Sequence, residues 1–168
     1  MINNNLNMES RVWVYQSNRP FTDAEAQAIS ERVKEFVSRW TSHKIGVEGD
    51  GGLFYNRFIL LMADESAVKV GGCSIDSSVH FIKALEKEFN TSFFDRWNIA
   101  YKKDNEVQSC NRSELENLVN AGIITDDTIV FNNLVTTKQQ LLNEWEVPFK
   151  QSWLKNLPQA HTSFNAVL

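Results

Sequence analysis

From Arg11 to Gln16 apolar side chains alternate about the chain: Val12 and Val14 share one face, Trp13 and Tyr15 the other. That period of two is the mark of a strand. Ser17-Asn18-Arg19-Pro20 ends it. Ile29, Val33, Phe36, Val37 and Trp40 then recur at helical spacing behind a Thr22–Glu25 capping box, which predicts an amphipathic helix over residues 23–41. Ile45 to Val47 fits a short strand, while Gly46, Gly49, Gly51 and Gly52 signal a turn or hairpin. The run from Phe58 to Ala63 is apolar throughout, as in a central strand covered on both faces. A second amphipathic helix is predicted from about Ile75 to Asn90, with Ile75, Val79, Ile82, Leu85 and Phe89 as its stripe. Trp97 to Tyr101 reads as a strand, Lys102-Lys103-Asp104-Asn105 as a turn, and Glu106 to Cys110 as a returning strand.

The order strand, helix, strand, strand, helix, strand is that of the split βαβ unit. It predicts an α+β fold with a ferredoxin-like core over residues 11–104, an antiparallel sheet carrying both helices on one face. Val12 and Val14 would then face the helices, with Trp13 and Tyr15 outward. Residues 105–157 form a mixed, partly helical extension packed on that core. It holds a helix from Ser113 to Val119 stopped by Gly122, a strand from Thr128 to Phe131, and a helix capped by Thr137 that carries Leu141, Leu142 and Trp145. After Pro148, Phe149, Trp153 and Leu157 form a last apolar stripe. Residues 1–10 are expected to be a disordered N-terminus and 158–168 a mobile tail.

Composition narrows the function classes. The 168 residues are 42% hydrophobic and include five Trp and eleven Phe, enough for an aromatic-rich core. A formal net charge of -4 and the lack of any Lys/Arg run disfavour nucleic acid as a partner. Cys73 and Cys110 are too few for a disulfide scaffold and lack zinc spacing. No metal and no cofactor are therefore expected. The first residues carry no signal-peptide pattern, and no run approaches the ~18 apolar residues of a membrane span. The expectation is a cytoplasmic protein with no membrane insertion.

The most chemically suggestive stretch is Gly71-Gly72-Cys73-Ser74-Ile75-Asp76, followed by Val79-His80. A thiol at a helix N-terminus favours thiolate. Helical spacing puts Cys73, Asp76 and His80 on one side, away from the apolar stripe. Asp76 and His80 can touch, but Cys73 and His80 are roughly 10 Å apart along the helix and make no nucleophile–base pair. His43 and His161 lie elsewhere in the chain. Cys73 is thus a small residue at a tight turn, an activated thiol, with Cys110 as resolving partner if the fold brings the two together, or, as the least favoured reading, a metal ligand with Asp76 and His80. Ser74 and Asp76 suit helix capping, and the amides beside Gly72 suit a small anion. Arg57 would serve an anion, an acidic partner or an ordinary salt bridge. Asp64 and Glu65 read as solvated surface, and Asn132-Asn133 as an unusual polar pair beside a strand. P-loop, Rossmann, nucleophile-elbow and zincin signatures are absent.

Arg11-Val12-Trp13-Val14-Tyr15-Gln16, Tyr55-Asn56-Arg57-Phe58, Gly72-Cys73-Ser74-Ile75-Asp76, Phe94-Asp95-Arg96 and the run from Thr128 to Val135 together resemble a family of small bacterial proteins often labelled "ABC transporter ATPase". The resemblance covers about residues 10–156. An ABC ATPase needs a Walker A loop, which this chain lacks, so ATP hydrolysis is not expected. A looser resemblance covers 97–153: Trp97, Tyr101, Ser113-x-Leu115-x-x-Leu118, Ala121-Gly122-Ile123, Asp127-Thr128-x-Val130 and Trp145-x-Val147-Pro148 are similar to bacterial GYF-like modules, without the Gly-Tyr-Phe signature itself. Such modules imply peptide or protein binding through aromatic side chains.

The favoured expectation is a non-catalytic binding or assembly module that contacts another protein or itself, with Trp13, Tyr15, Trp97 and Tyr101 as the aromatics to watch. The alternatives are a thiol enzyme or redox sensor using Cys73, and anion binding by Gly72, Ser74, Asp76, His80 or Arg57.

Overall fold

The computed structural model describes residues 5–42, 45–46, 48–66 and 72–157. In chain order the elements are β1 (Arg11–Gln16), α1 (Asp23–Arg39), β2 (Thr41–Ser42), β3 (Ile45–Gly46), β4 (Gly49–Phe54), β5 (Phe58–Ala63), α2 (Gly72–Glu88), β6 (Ile99–Lys103), β7 (Glu106–Cys110), α3 (Arg112–Asn120), β8 (Ile129–Phe131), α4 (Lys138–Glu144) and β9 (Glu146–Pro148). Two short 3₁₀ turns, Phe149–Gln151 and Trp153–Asn156, follow.

β5 offers water no polar side chain, and all six of its residues are buried. It is the middle strand of an antiparallel sheet ordered β1-β5-β4. Its alternation feeds two cores. Ile59, Leu61 and Ala63 face α1 and α2, where they meet Ile29, Val33, Ile82 and Leu85. Phe58, Leu60 and Met62 face a second antiparallel sheet, ordered β7-β6-β8-β9, and meet Ala100 and Phe131. Beyond that sheet Ile99, Tyr101 and Val130 pack on Leu115, Phe149 and Leu154 from α3 and the 3₁₀ turns. The result is four layers: helices, sheet, sheet, helices. Each large side chain buried on β5 contributes about 1.5–3 kcal/mol, and a one-residue slip would exchange its two faces.

The α+β class holds, but the strand pairing of a ferredoxin-like core does not. That arrangement needs β6 beside β1, whereas β6 pairs with β7 and β8. The two-residue turn at Asp104 and Asn105, whose φ values of 51° and 66° suit a tight hairpin, commits one edge of β6 to β7, and β8 takes the other, so no edge is left for β1. The expected boundary after residue 104 therefore falls inside a hairpin turn. β1 also presents the opposite faces to those expected. Trp13 and Tyr15 pack toward the helices, with the Trp13 ring 5.5 Å from Trp40, while Val12 and Val14 lie between the sheets. Alternation groups residues by face; which face meets the helices is settled by what the wide rings can fill.

The glycines read as a turn lie mostly in a strand. A Cβ on Gly51 would sit 3.0 Å from both Leu61 Cδ2 and Val33 Cγ1, so the missing side chain lets α1 approach β4 closely. Residues 5–10 are not a disordered tip: Leu6 is buried, and its carbonyl accepts from Lys138 Nζ at 2.7 Å. The expected tail, 158–168, lies outside the described residues.

Candidate functional site

β1 is an edge strand, and the described residues cover only the first half of its outer edge. Val12 N–H donates to the Thr136 carbonyl at 2.9 Å, and Lys138 N–H to that of Ser10 at 2.8 Å. Further back in the chain, the turn at Asn133 and Leu134 carries the backbone away from β1. On another side, Asp95 accepts from Trp97 N–H at 2.9 Å and shapes the turn before β6. These departures leave a cleft of ≈ 580 Å³ with Val14, Tyr15 and Gln16 along it and Phe94, Trp97, Leu134 and Trp153 as walls.

The polar residues of the cleft are held in a directed chain. Trp145 Nε1 donates to Asn133 Oδ1 at 3.2 Å, Asn133 Nδ2 to Gln16 Oε1 at 2.7 Å, and Gln16 Nε2 to the Asn98 carbonyl at 2.9 Å. Asn98 Nδ2 donates onward to the Ser17 carbonyl at 2.9 Å. An indole N–H can only donate, so it fixes the orientation of both carboxamides behind it. The Tyr15 hydroxyl has its pKa raised by burial, an effect partly opposed by its hydrogen bond with Ser78. Asp95 and Arg96 are the charged residues of the lining. Such a surface offers shape, apolar area and fixed dipoles, and little acid–base chemistry. A second hollow, of ≈ 560 Å³ between α1 and α2, is rimmed by Arg32 and Glu88, which pair at 3.0 Å.

The structure scatters the residues singled out from sequence. Of the four aromatics, Tyr15 and Trp97 line the cleft, whereas Trp13 is in the helix-side core and Tyr101 in the core beyond the second sheet. Gly72 opens α2 and is exposed; Asp76 and His80 are exposed one and two turns on. The side chains of Cys73 and Ser74, and all of Gly71, His43 and His161, lie outside the described residues. Cys110 is buried, and burial, with the nearby Glu114 charge, pushes its thiol up to about 11, which opposes a resolving role. Arg57 is buried far from α2's start in sequence and donates to Ser109 Oγ at 2.7 Å. Asp64 accepts from Ser66 N–H at 2.8 Å, and Glu65 lies 3.7 Å from Arg11. Among the described residues no group of three His, Cys, Asp or Glu could hold a metal ion.

Sequence reasoning missed Phe94, Leu134, Gln16 and Asn98 as cleft residues, and it read Trp153 only as part of an apolar stripe. Asn133 was visible as one of two polar residues beside a strand, but its link to Gln16 spans 117 positions of chain and needs the fold. Compared with known proteins, the chain matches no family model, no curated protein and no solved structure.

Proposed function

We propose that this chain is a non-catalytic binding module that takes a segment of another protein into the cleft beside β1. One observation carries the reading: four large apolar side chains stand partly bare around one hollow, Phe94 at 43% exposure, Trp97 at 46%, Leu134 at 68% and Trp153 at 39%. Exposed apolar surface gathered in one place marks interaction sites, and truncating a central aromatic anchor of such sites commonly costs about 2 kcal/mol or more. The likeness of residues 97–153 to GYF-like modules points the same way, since Trp97, one of the residues that carry it, lines the cleft. A cytoplasmic setting suits a chain whose Cys110 is a free, buried thiol. No described helix is long and apolar enough to cross a membrane.

The test is selection of a random dodecapeptide library, displayed on phage, against the folded chain. Enriched peptides are expected to bind Trp97→Ala and Trp153→Ala about 30-fold more weakly, the equivalent of 2 kcal/mol. Both variants keep their circular dichroism, because both rings are largely outside the cores. A library with no enriched peptide, or enriched peptides indifferent to both substitutions, overturns the reading.

A further inference from the structure

Among the described residues, the outer edge of β1 carries unpaired main-chain groups where the cleft lies. Antiparallel pairing sends alternate residues' N–H and C=O to opposite sides of a strand. Ser10 and Val12 bond outward, to Lys138 and Thr136. Ser17 N–H bonds inward, to the Arg57 carbonyl at 2.9 Å, next to the Gln16–Phe58 pair. The period of two therefore turns the N–H and C=O of Val14 and Gln16 outward, toward the cleft they line. No described residue pairs with those groups. Gln16 is buried and Val14 half-buried, a setting where main-chain groups are nearly always bonded. The ladder that Thr136 to Lys138 begins on this edge is left open over its second half by the described residues.

On the reading that the cleft binds a protein segment, we propose that the segment binds in extended form, as an added strand on the Val14–Gln16 edge of β1. Its main chain completes the ladder, and its alternate side chains fall among Phe94, Trp97, Leu134 and Trp153. Main-chain bonding supplies affinity with little demand on sequence; the rings demand apolar residues at every second position. A strand over this floor engages on the order of five residues at about 3.3 Å each. The occupant is a flexible stretch of another polypeptide, because the open edge lies recessed between walls contributed by three separate segments.

The experiment uses a peptide enriched by the selection above, with amide hydrogen exchange of the full chain. In the complex, exchange at Val14 and Gln16 is expected to slow about tenfold or more. N-methylation along the peptide is expected to weaken binding about tenfold at alternate positions and far less between them, each blocked bond being worth about one such factor. Val14→Pro removes one outward donor and none of the bonds to β5, and is expected to lower affinity about tenfold while the chain stays folded. A peptide that needs Trp97 yet shows no alternation on N-methylation, with Val14 and Gln16 exchange unchanged, overturns strand addition and leaves the binding reading standing. Failure to enrich any peptide overturns both. Protection of Val14 and Gln16 on concentrating the chain alone, with dimers in sedimentation, assigns the edge to a second copy and overturns the proposal.

Discussion

A guanidinium shut away from water needs an acceptor for its N–H groups, and Arg57 is short of them. It is 4% exposed; Ser109 Oγ takes one donor, and Nε has no partner. No carboxylate among the described residues pairs with it, and burial pulls its pKa down. Removing a buried charge in favour of an apolar chain of like length is often neutral or stabilising. Arg57→Met is therefore expected to leave stability unchanged or raise it by about 1 kcal/mol in urea unfolding. A loss above about 2 kcal/mol would show that the charge has an acceptor after all. From sequence Arg57 could be given only generic roles, because neither its burial nor Ser109, 52 residues away, is local information.

Element boundaries were the most legible feature, because caps and turns act within four residues. Thr22 with Glu25 caps α1, and Thr137 accepts from Gln140 N–H to start α4. Gly122, at φ 70°, stops the chain after α3. The Asp104-Asn105 turn was readable as well, yet its consequence for the sheet was not. Both residues hold left-handed backbone without being glycine, a conformation that costs an L-residue about 1 kcal/mol or more. Asn105→Gly is accordingly expected to raise stability by about 0.5–1 kcal/mol, seen as a later thermal midpoint, whereas Asn105→Val lowers it. If the glycine variant melts earlier, the side chain of Asn105 makes a contact that outweighs its strain. β4 escaped notice for the converse reason: its glycines serve packing against α1, a tertiary demand that looks like a turn in one dimension.

At the scale of the molecule, the two sheets are tied by a polar clamp as well as by their shared apolar layer. Lys102 on β6 bonds to the Glu146 carboxylate on β9 and to the Tyr55 hydroxyl at 3.0 Å, and Tyr55 also donates to Glu146. The ammonium lies 4.7 Å from the Tyr55 ring centre. Burial raises the pKa of Tyr55. For Lys102 burial acts downward, but the bonds to Glu146 and Tyr55 outweigh it and the net shift is up. Both groups have folded values above their ordinary ones of 10.0 and 10.5, so their contribution is complete below those values and is lost as pH rises through the folded ones. Urea midpoints are expected to fall more steeply with alkaline pH in the native chain than in a Tyr55→Phe, Lys102→Met double variant. Parallel slopes would remove the clamp from the account. Because β5 serves cores on both sides, unfolding is expected to be a single transition by fluorescence and by circular dichroism.

The sequence by itself determined which residues group on a face, where helices begin and end, and that β5 is covered on both sides. These follow from periods of two and 3.6 and from side chains bonding their near neighbours. It also marked Trp13, Tyr15, Trp97 and Tyr101 as aromatics to watch, of which Tyr15 and Trp97 line the cleft. Only the tertiary structure decided that Trp13 and Tyr15 look toward the helices, that β6 joins a second sheet instead of β1, and that Trp153 meets Trp97 at one cleft. Those outcomes depend on competition between distant surfaces for the same apolar faces and the same strand edges. The half of β1's edge that the described residues leave open is the product of that competition.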